Sequence, residues 1–404
     1  MKIMNIDIDT SMQNIKSQLN IKKITLLLLA SAFMAFWLVG VYAFFTEGHE
    51  SYNLSREHPW GLLMMSYEFF VALSMGLGMI GAGAIVFDVK AVKPFAYRAI
   101  LWGLVSLFAG FAIFIFEIGH PITMVIYIVL SGNVTSALLY LGIFYPLFMF
   151  FSVMTLFFAW KDSPSKVKIF AIGTLFSAVG SILTAGSIFG LLYVIPFAAG
   201  SFYPTQFFLT ALLAGVFVLS FVYWVSDGNN EEEKEALRVL GKFSAIIIAI
   251  LLVMYFTRFL VGIYSSEYGL TKSITDMFST SNFLLHELTL GLLLPLAVIL
   301  FASKESVVRL QGYIALFVLW GMMMSRYNLS EGLQYIPKKA VKVTEYQEAV
   351  VPSFHYVPSI AEFSLTMGGV GVAIFLYFIS SFLWKELNAE KNKGLSKKLA
   401  TEKN

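Results

Sequence analysis

Apolar residues do not alternate with polar ones along this chain. They run in blocks of about 20, the length needed to cross the hydrocarbon of a bilayer as a helix. Ten such blocks can be drawn, at roughly 24–45, 60–87, 98–118, 135–160, 168–190, 204–225, 241–264, 281–302, 307–325 and 359–384. A backbone in lipid must satisfy its own hydrogen bonds, so each block predicts a helix and the whole an all-α, polytopic membrane bundle of about ten spans. The run Pro121–Leu130 is too short to span and predicts an interfacial or re-entrant piece. Residues 1–23 are polar with a basic end and precede an apolar run without an A-x-A-like cleavage site, so that run is expected to stay as an anchor. The domain plan is then a segment 1–23, a membrane domain 24–384 with a long outer loop 326–358, and a basic tail 385–404.

Composition agrees: 58% hydrophobic and 13% charged, with a mean hydropathy of +0.76. A soluble domain carries about 25% charged residues. Cysteine is absent, which excludes disulfides, thiolate zinc sites and protein-ligated iron–sulfur clusters from this chain. Nothing points to nucleic acid or to a metal site. With the N-terminus in the cytoplasm, 21 of the 28 Lys and Arg fall on inner segments. Six fall on outer ones: Arg56, Lys272, Arg326, Lys338, Lys339 and Lys342. The remaining one, Arg258, lies within a span. This bias predicts both termini in the cytoplasm. The charge run EEEKEALR reads as a helix start on an inner segment.

That orientation gives the polar residues a depth. Glu68 lies eight residues inward from Trp60, about 12 Å below the outer interface at 1.5 Å per residue. Glu117, Glu287, Glu362 and Arg258 map to the outer ends of their spans. All five histidines, His49, His58, His120, His286 and His355, map to outer loops or outer helix ends. An ionisable group inside a membrane usually faces a cavity or a partner. Four carboxylates and an arginine at similar depth therefore suggest one polar cavity opening outward. The structural alternative is that Arg258 pairs with Glu287 or Glu117 and locks helices together. A quinone site needs an apolar slot, aromatic walls and a His, Tyr or carboxylate to exchange protons. A solute or ion transporter, and a haem-bearing cytochrome b with His120 or His286 as ligand, are the other classes this residue set allows.

Four stretches are similar to a known family. HPWGLLMMSYEFFVALSMGLGMIGAG, from His58, resembles the opening of the NrfD/PsrC membrane subunits of the polysulfide reductase family. FEIGHP (Phe116–Pro121), LHELTLGLLLPLAVIL from Leu285 and YVPSIAEFSLTMG from Tyr356 resemble three further family stretches. The nearest branch by resemblance is the HybB-type hydrogenase membrane subunit. One departure is LTAGSIFG (Leu183–Gly190), which has no His where that branch has one.

The resemblance implies a subunit without haem in a bacterial or archaeal cytoplasmic membrane. It implies a menaquinone or ubiquinone bound near the outer face. It also implies a periplasmic four-cluster iron–sulfur partner, joined to a nickel–iron hydrogenase or a molybdopterin oxidoreductase. It places the family's acids on Glu68, Glu117, Glu287 and Glu362, and its arginines on Arg258 and Arg326. Proton exchange is then expected at Glu68, Glu117, Arg258 and Glu287, with Arg258 holding a neighbouring carboxylate charged. Quinone contacts are expected from Glu68, Tyr67, His120, His286 and Glu362, with Tyr264 a weaker candidate. The inner halves hold only hydroxyls such as Ser74, Ser106 and Thr174, so protons are expected from the outer side. The outer loop, with Lys338, Lys339 and Lys342, is expected to dock the partner.

Overall fold

The structure is a computed structural model that describes residues 20–55, 58–226, 231–266, 268–302, 304–334 and 356–401. Every regular element among them is helical. The helices are α1 (Ile21–Glu47), α2 (Leu62–Val86), α3 (Ala96–Ile118), α4 (Pro121–Ser131), α5 (Ala137–Trp160), α6 (Pro164–Gly190), α7 (Phe202–Val225), α8 (Glu231–Ile263) and α9 (Tyr268–Ser279). A π-helical segment, Asn282–Leu293, then leads into α10 (Leu294–Phe301), followed by α11 (Lys304–Gln334) and α12 (Ile360–Thr401). Among the described residues nine helices are long and apolar enough to cross a membrane. The short run at Pro121 forms α4, an 11-residue helix with Pro at its first turn, where a missing N–H costs nothing.

Helix α2 is the centre of the bundle: 20 of its 25 residues are buried. In α1 only Ala30 and Gly40 are; one side of it packs on α12, where Gly40 meets Ser364 and Gly368 meets Trp37. The reason is side-chain size. With no hydrophobic drive between helices in lipid, small residues set how closely they pack. A Cβ on Gly76 would collide with the Ala211 carbonyl of α7, one on Gly81 with the Ala96 carbonyl of α3, and one on Gly78 with the Phe148 ring of α5. Three neighbours therefore approach α2 through the glycines of its GLGMIGAG run.

The ends are tied by specific bonds. Asn20 caps α1 by accepting from the Lys23 N–H at 2.9 Å, and its amide donates to the Val225 carbonyl at 2.8 Å. Lys22 donates to the Trp224 carbonyl at 2.9 Å and lies over the Trp224 ring. The start of α1 thus closes the end of α7, whose last carbonyls have no helical partner.

Helix α11 departs from the expected plan. Its apolar run breaks at Arg326, so the sequence predicts a span ending at 325 and a loop beginning there. The helix instead continues through Arg326 to Gln334. The charge is neutralised by neighbours rather than by water, as described below. The rest of the expected docking loop, including Lys338, Lys339, Lys342 and His355, lies outside the described residues. At the other end of the chain, α12 runs on through the expected tail to Thr401.

Gly76→Val is expected to lower stability by about 1–3 kcal/mol or more, since the α2–α7 crossing has no room for the added atoms. A fall in the thermal midpoint of the detergent-solubilised protein checks it, with Gly241→Ala, in open space, as the control that should hold or raise the midpoint.

Candidate functional site

Five elements meet at the end of the bundle where α2, α7, the π segment and α12 begin. At their centre is Arg326, a guanidinium only 1% exposed. Its Nη2 donates to Thr210 Oγ1 at 2.9 Å and its Nη1 to Gln206 Oε1 at 3.4 Å, both on α7. Its carbon lies 3.6 Å from the centre of the Phe207 ring, within cation–π range. The Nε of Arg326 has no partner among the described residues.

Glu287, from the π segment, is 2% exposed. One carboxylate oxygen accepts from the Tyr255 hydroxyl of α8. The other accepts from Asn328 Nδ2 of α11 at 2.6 Å. Gln206 Nε2 completes the group by donating to Tyr255 Oη at 2.8 Å and Ser325 Oγ at 2.9 Å. The π geometry has a local cause. Pro295 lacks an N–H to bond back to the preceding turn. Gly291 lies backbone to backbone against Gly321 of α11, so the segment rests where only glycine fits. Such π stretches often mark functional sites.

Glu68 completes the constellation from α2. It is 7% exposed and accepts no hydrogen bond among the described residues; the charge acting on it is Arg326. Arg326 also acts on Glu287. One cation therefore serves two carboxyls, and the cluster is neutral when one of them holds a proton. Glu287 is held by two donors and Glu68 by none. Beside Glu68, Tyr67 donates to the Tyr145 hydroxyl of α5 at 2.9 Å and stacks on Phe114 with centroids 3.9 Å apart.

Glu362 has a different surrounding. Ser359 and Glu362 form a capping box: Ser359 Oγ accepts from the Glu362 N–H at 3.1 Å, and Glu362 Oε2 accepts from the Ser359 N–H at 2.9 Å. The same oxygen accepts from the Asn53 N–H at 3.0 Å, and the other from the Tyr356 hydroxyl. Tyr356 Oη in turn accepts from the Leu62 N–H at 2.7 Å, an orphan donor at the start of α2. Burial first, then the Glu362 carboxylate, push the Tyr356 phenol above its ordinary value, so it stays a donor. Glu362 thus joins α12, the α1–α2 connection and α2.

The remaining expected residues are dispersed. Arg258 does not hold a carboxylate. It donates to the Phe197 carbonyl and sits among the rings of Phe197, Phe202 and Tyr203 at 5.6, 5.0 and 5.9 Å. Arg326 takes the place expected for it, because α11 runs on far enough to bring its charge between α2 and α7. Glu117 is half-buried at the end of α3, where Glu362 acts on it. His286 accepts from Trp320 Nε1 at 3.2 Å through Nδ1, beside the exposed Trp320 ring, while its neighbour Glu287 turns inward. His120 is exposed at the start of α4, and Tyr264 is 83% exposed. Among the described residues no group of three or more His, Asp or Glu could hold a metal.

Gln206, Ser325 and Asn328 escape a search for ionisable residues, and Tyr255 is one of 19 tyrosines that such a search does not separate. Their signal is weaker: lone amides and hydroxyls in otherwise apolar blocks. The capping box was legible as S-x-x-E before an apolar run.

A profile for the family described as Polysulphide reductase, NrfD, matches residues 50–337. That range takes in Glu68, Gln206, Tyr255, Glu287 and Arg326 and stops short of Glu362. The chain is 22% identical over 393 residues to a selenate reductase subunit of Mesobacillus selenatarsenatis, covering 88% of this chain and 92% of that protein. It is 25% identical over 186 residues to the Hdr-like menaquinol oxidoreductase integral membrane subunit of Archaeoglobus fulgidus, covering 45% of this chain and 46% of that protein.

Glu362→Ala removes the capping box and leaves the Leu62 and Asn53 ends loosened. The expected cost is about 1–2 kcal/mol, measured as a drop in the thermal midpoint that Glu362→Gln partly restores.

Proposed function

The chain belongs to the polysulphide reductase NrfD family, and from that premise we propose that it is the quinone-reactive membrane subunit of a respiratory reductase complex. The observation that carries this reading is the buried Glu68–Arg326–Glu287 cluster. It combines a carboxyl without a hydrogen-bond partner, a guanidinium with a free Nε and a carboxylate held by Tyr255 and Asn328. Such a donor set fits a quinone ring, whose two oxygens need one group that gives or takes a proton and one that donates a fixed hydrogen bond.

A quinone bound there supplies the two-electron, two-proton chemistry. The chain does the rest. Glu68 would exchange one proton with a ring oxygen, and the Tyr255–Glu287 pair would carry the other. Arg326 donates from Nε and balances whichever carboxyl is charged. Tyr255 and Glu287 form a relay behind it, and Phe207 and the Tyr67–Phe114 stack supply aromatic walls. Glu362 and Tyr356 keep the start of α2, and so Glu68, in register.

The electrons are exchanged with an extracytoplasmic iron–sulfur subunit, docked at the end of the bundle that carries this cluster. The Lys and Arg bias favours that sidedness. One relative is named a selenate reductase subunit and another a menaquinol oxidoreductase subunit. These names favour a molybdopterin-type reductase over a hydrogenase as catalytic partner, and menaquinone as the quinone. The membrane is the cytoplasmic membrane of a bacterium or archaeon.

Titration of the purified protein with a fluorescent quinol analogue tests the reading. Saturable, near-stoichiometric quenching is expected. Glu68→Gln and Arg326→Met should each weaken it about tenfold or more, that is by about 1.4 kcal/mol. Folded wild-type protein that binds no analogue would refute the quinone site.

A further inference from the structure

A cavity of about 170 Å³ lies in the half of the bundle remote from Arg326. Its walls include Leu26 of α1, Leu73 of α2, Trp102 of α3, Val222 of α7 and Ile374 of α12. It exists because α7, among the described residues, has almost no direct contact with α1 or α12. Helix α1 packs on α12 from Gly40 down to Ala30, whose carbonyl meets Gly371, and rejoins α7 at Asn20 and Lys22. Between those contacts it runs past the cavity as a strut. Val218, Phe221 and Ile374 on the rim are half-exposed, so the cavity opens sideways toward lipid. Along α7 it extends from Val218 to Val225, about 10 Å at 1.5 Å per residue. That fits within one half of a hydrocarbon core about 30 Å thick, the inner half by the Lys and Arg bias.

The walls offer nothing to a polar ligand. Ser106 Oγ donates to the Trp102 carbonyl at 2.9 Å and Trp102 Nε1 to Ser381 Oγ at 3.4 Å. The Tyr377 hydroxyl is hydrogen-bonded with Ser226 and Ser381. Each polar side chain of the wall is thus already bonded within the chain. Water needs two to four polar partners, and an apolar cavity of this size stays dry and accepts hydrocarbon. Left empty, it would forfeit the dispersion contacts of its walls. The rim differs in charge. Lys22 stands one turn inward of Leu26, and Arg98 one turn inward of Trp102, each on the same helix face as its wall residue. The Lys22 ammonium lies 4.4 Å from the centre of the Trp224 ring, and the Arg98 guanidinium 6.0 Å from that of Trp102. Glu233 pairs with Arg98 at the same rim. Lys22 belongs to α1, the helix that flanks the opening. Toward Glu68 the cavity ends at Phe70, buried against Gly110 of α3. A chain that fills it therefore enters from the inner leaflet and not from a ring bound at the outer end.

We propose that this cavity is a phospholipid site: it takes one acyl chain of an inner-leaflet lipid whose anionic headgroup rests against Lys22 at the rim. The chain supplies the contacts that α7 lacks with α1 and α12. Bound lipid then holds the first turn of α1 on the end of α7, beside the Asn20 and Lys22 bonds. The site does not depend on quinone binding at Glu68.

The test titrates the delipidated whole chain in detergent with phosphatidylglycerol and, separately, with zwitterionic phosphatidylethanolamine. Native mass spectrometry counts bound lipid, and the thermal midpoint reports its effect. Wild type should bind one phosphatidylglycerol with a rise in midpoint, and phosphatidylethanolamine about fivefold more weakly, the attraction of one lysine for an anionic lipid. Ala373→Phe, which fills the cavity, should lose that lipid and the rise while keeping wild-type helix content. Lys22→Gln, still able to donate to the Trp224 carbonyl, should bind the two lipids alike. Wild-type binding of phosphatidylglycerol by a folded Ala373→Phe protein would overturn the site, and so would an undiminished preference in Lys22→Gln. Should Ala373→Phe fail to fold, the Lys22→Gln preference decides. A co-purifying quinone lost from Ala373→Phe in place of phospholipid would also overturn the proposal and give the cavity to an isoprenoid tail.

Discussion

The organising constraint is one buried positive charge. A guanidinium in a low-dielectric interior must be compensated on every side, because its desolvation costs several kcal/mol. Arg326 meets this with Thr210 and Gln206 as acceptors, the Phe207 ring face, and two carboxyls within electrostatic reach. Two of those partners are themselves positioned by further bonds. Gln206 is oriented by Tyr255 and Ser325, and Glu287 by Tyr255 and Asn328. Four elements are thereby held in one register around a charge that none could bury alone. Glu68 stands apart from this frame, close to the charge and without a hydrogen bond among the described residues, the arrangement on which its proposed proton exchange rests.

The frame and Glu68 are separated in another way. Glu362 looks from its depth like a fifth member of the cluster, yet its oxygens are taken by the capping box, by Asn53 and by Tyr356. A carboxylate so occupied rigidifies; it has little capacity left for a ligand. Its role is to fix the first turn of α2. Because α2 is nearly all buried and packed through glycines, a fixed first turn fixes the depth of Glu68 six residues further on.

The opposite half of the bundle has no comparable charge among its buried residues and uses hydroxyls instead. A serine in a membrane helix is inexpensive when bonded to its own backbone. Ser74, Ser152 and Ser181, wholly buried on three neighbouring helices, have no hydrogen-bond partner among the described residues. The polar end meets these helices at Tyr67 and Glu68, adjacent residues on α2.

Much of this was legible in one dimension. Membrane spans are set by length and apolarity, so nearly all helices were readable from the blocks of the chain, and the depth of Glu68 followed from counting residues from Trp60. Glu287 was readable as a candidate because a carboxylate in an apolar block is costly anywhere. The end of α11 was not readable, since a lone Arg ends an apolar block whether it meets water or a partner. Nor was the exchange of roles between Arg258 and Arg326: which arginine meets a carboxylate depends on the crossing of α2, α7 and α11, and that crossing depends on contacts between residues far apart in the chain. The sequence by itself determined that this protein is a membrane bundle with the ionisable groups of its spans gathered at one end, because the cost of burying backbone and charge in lipid acts residue by residue. Only the tertiary structure decided which of those charges face one another, because pairing depends on distance, and distance between helices is set by packing.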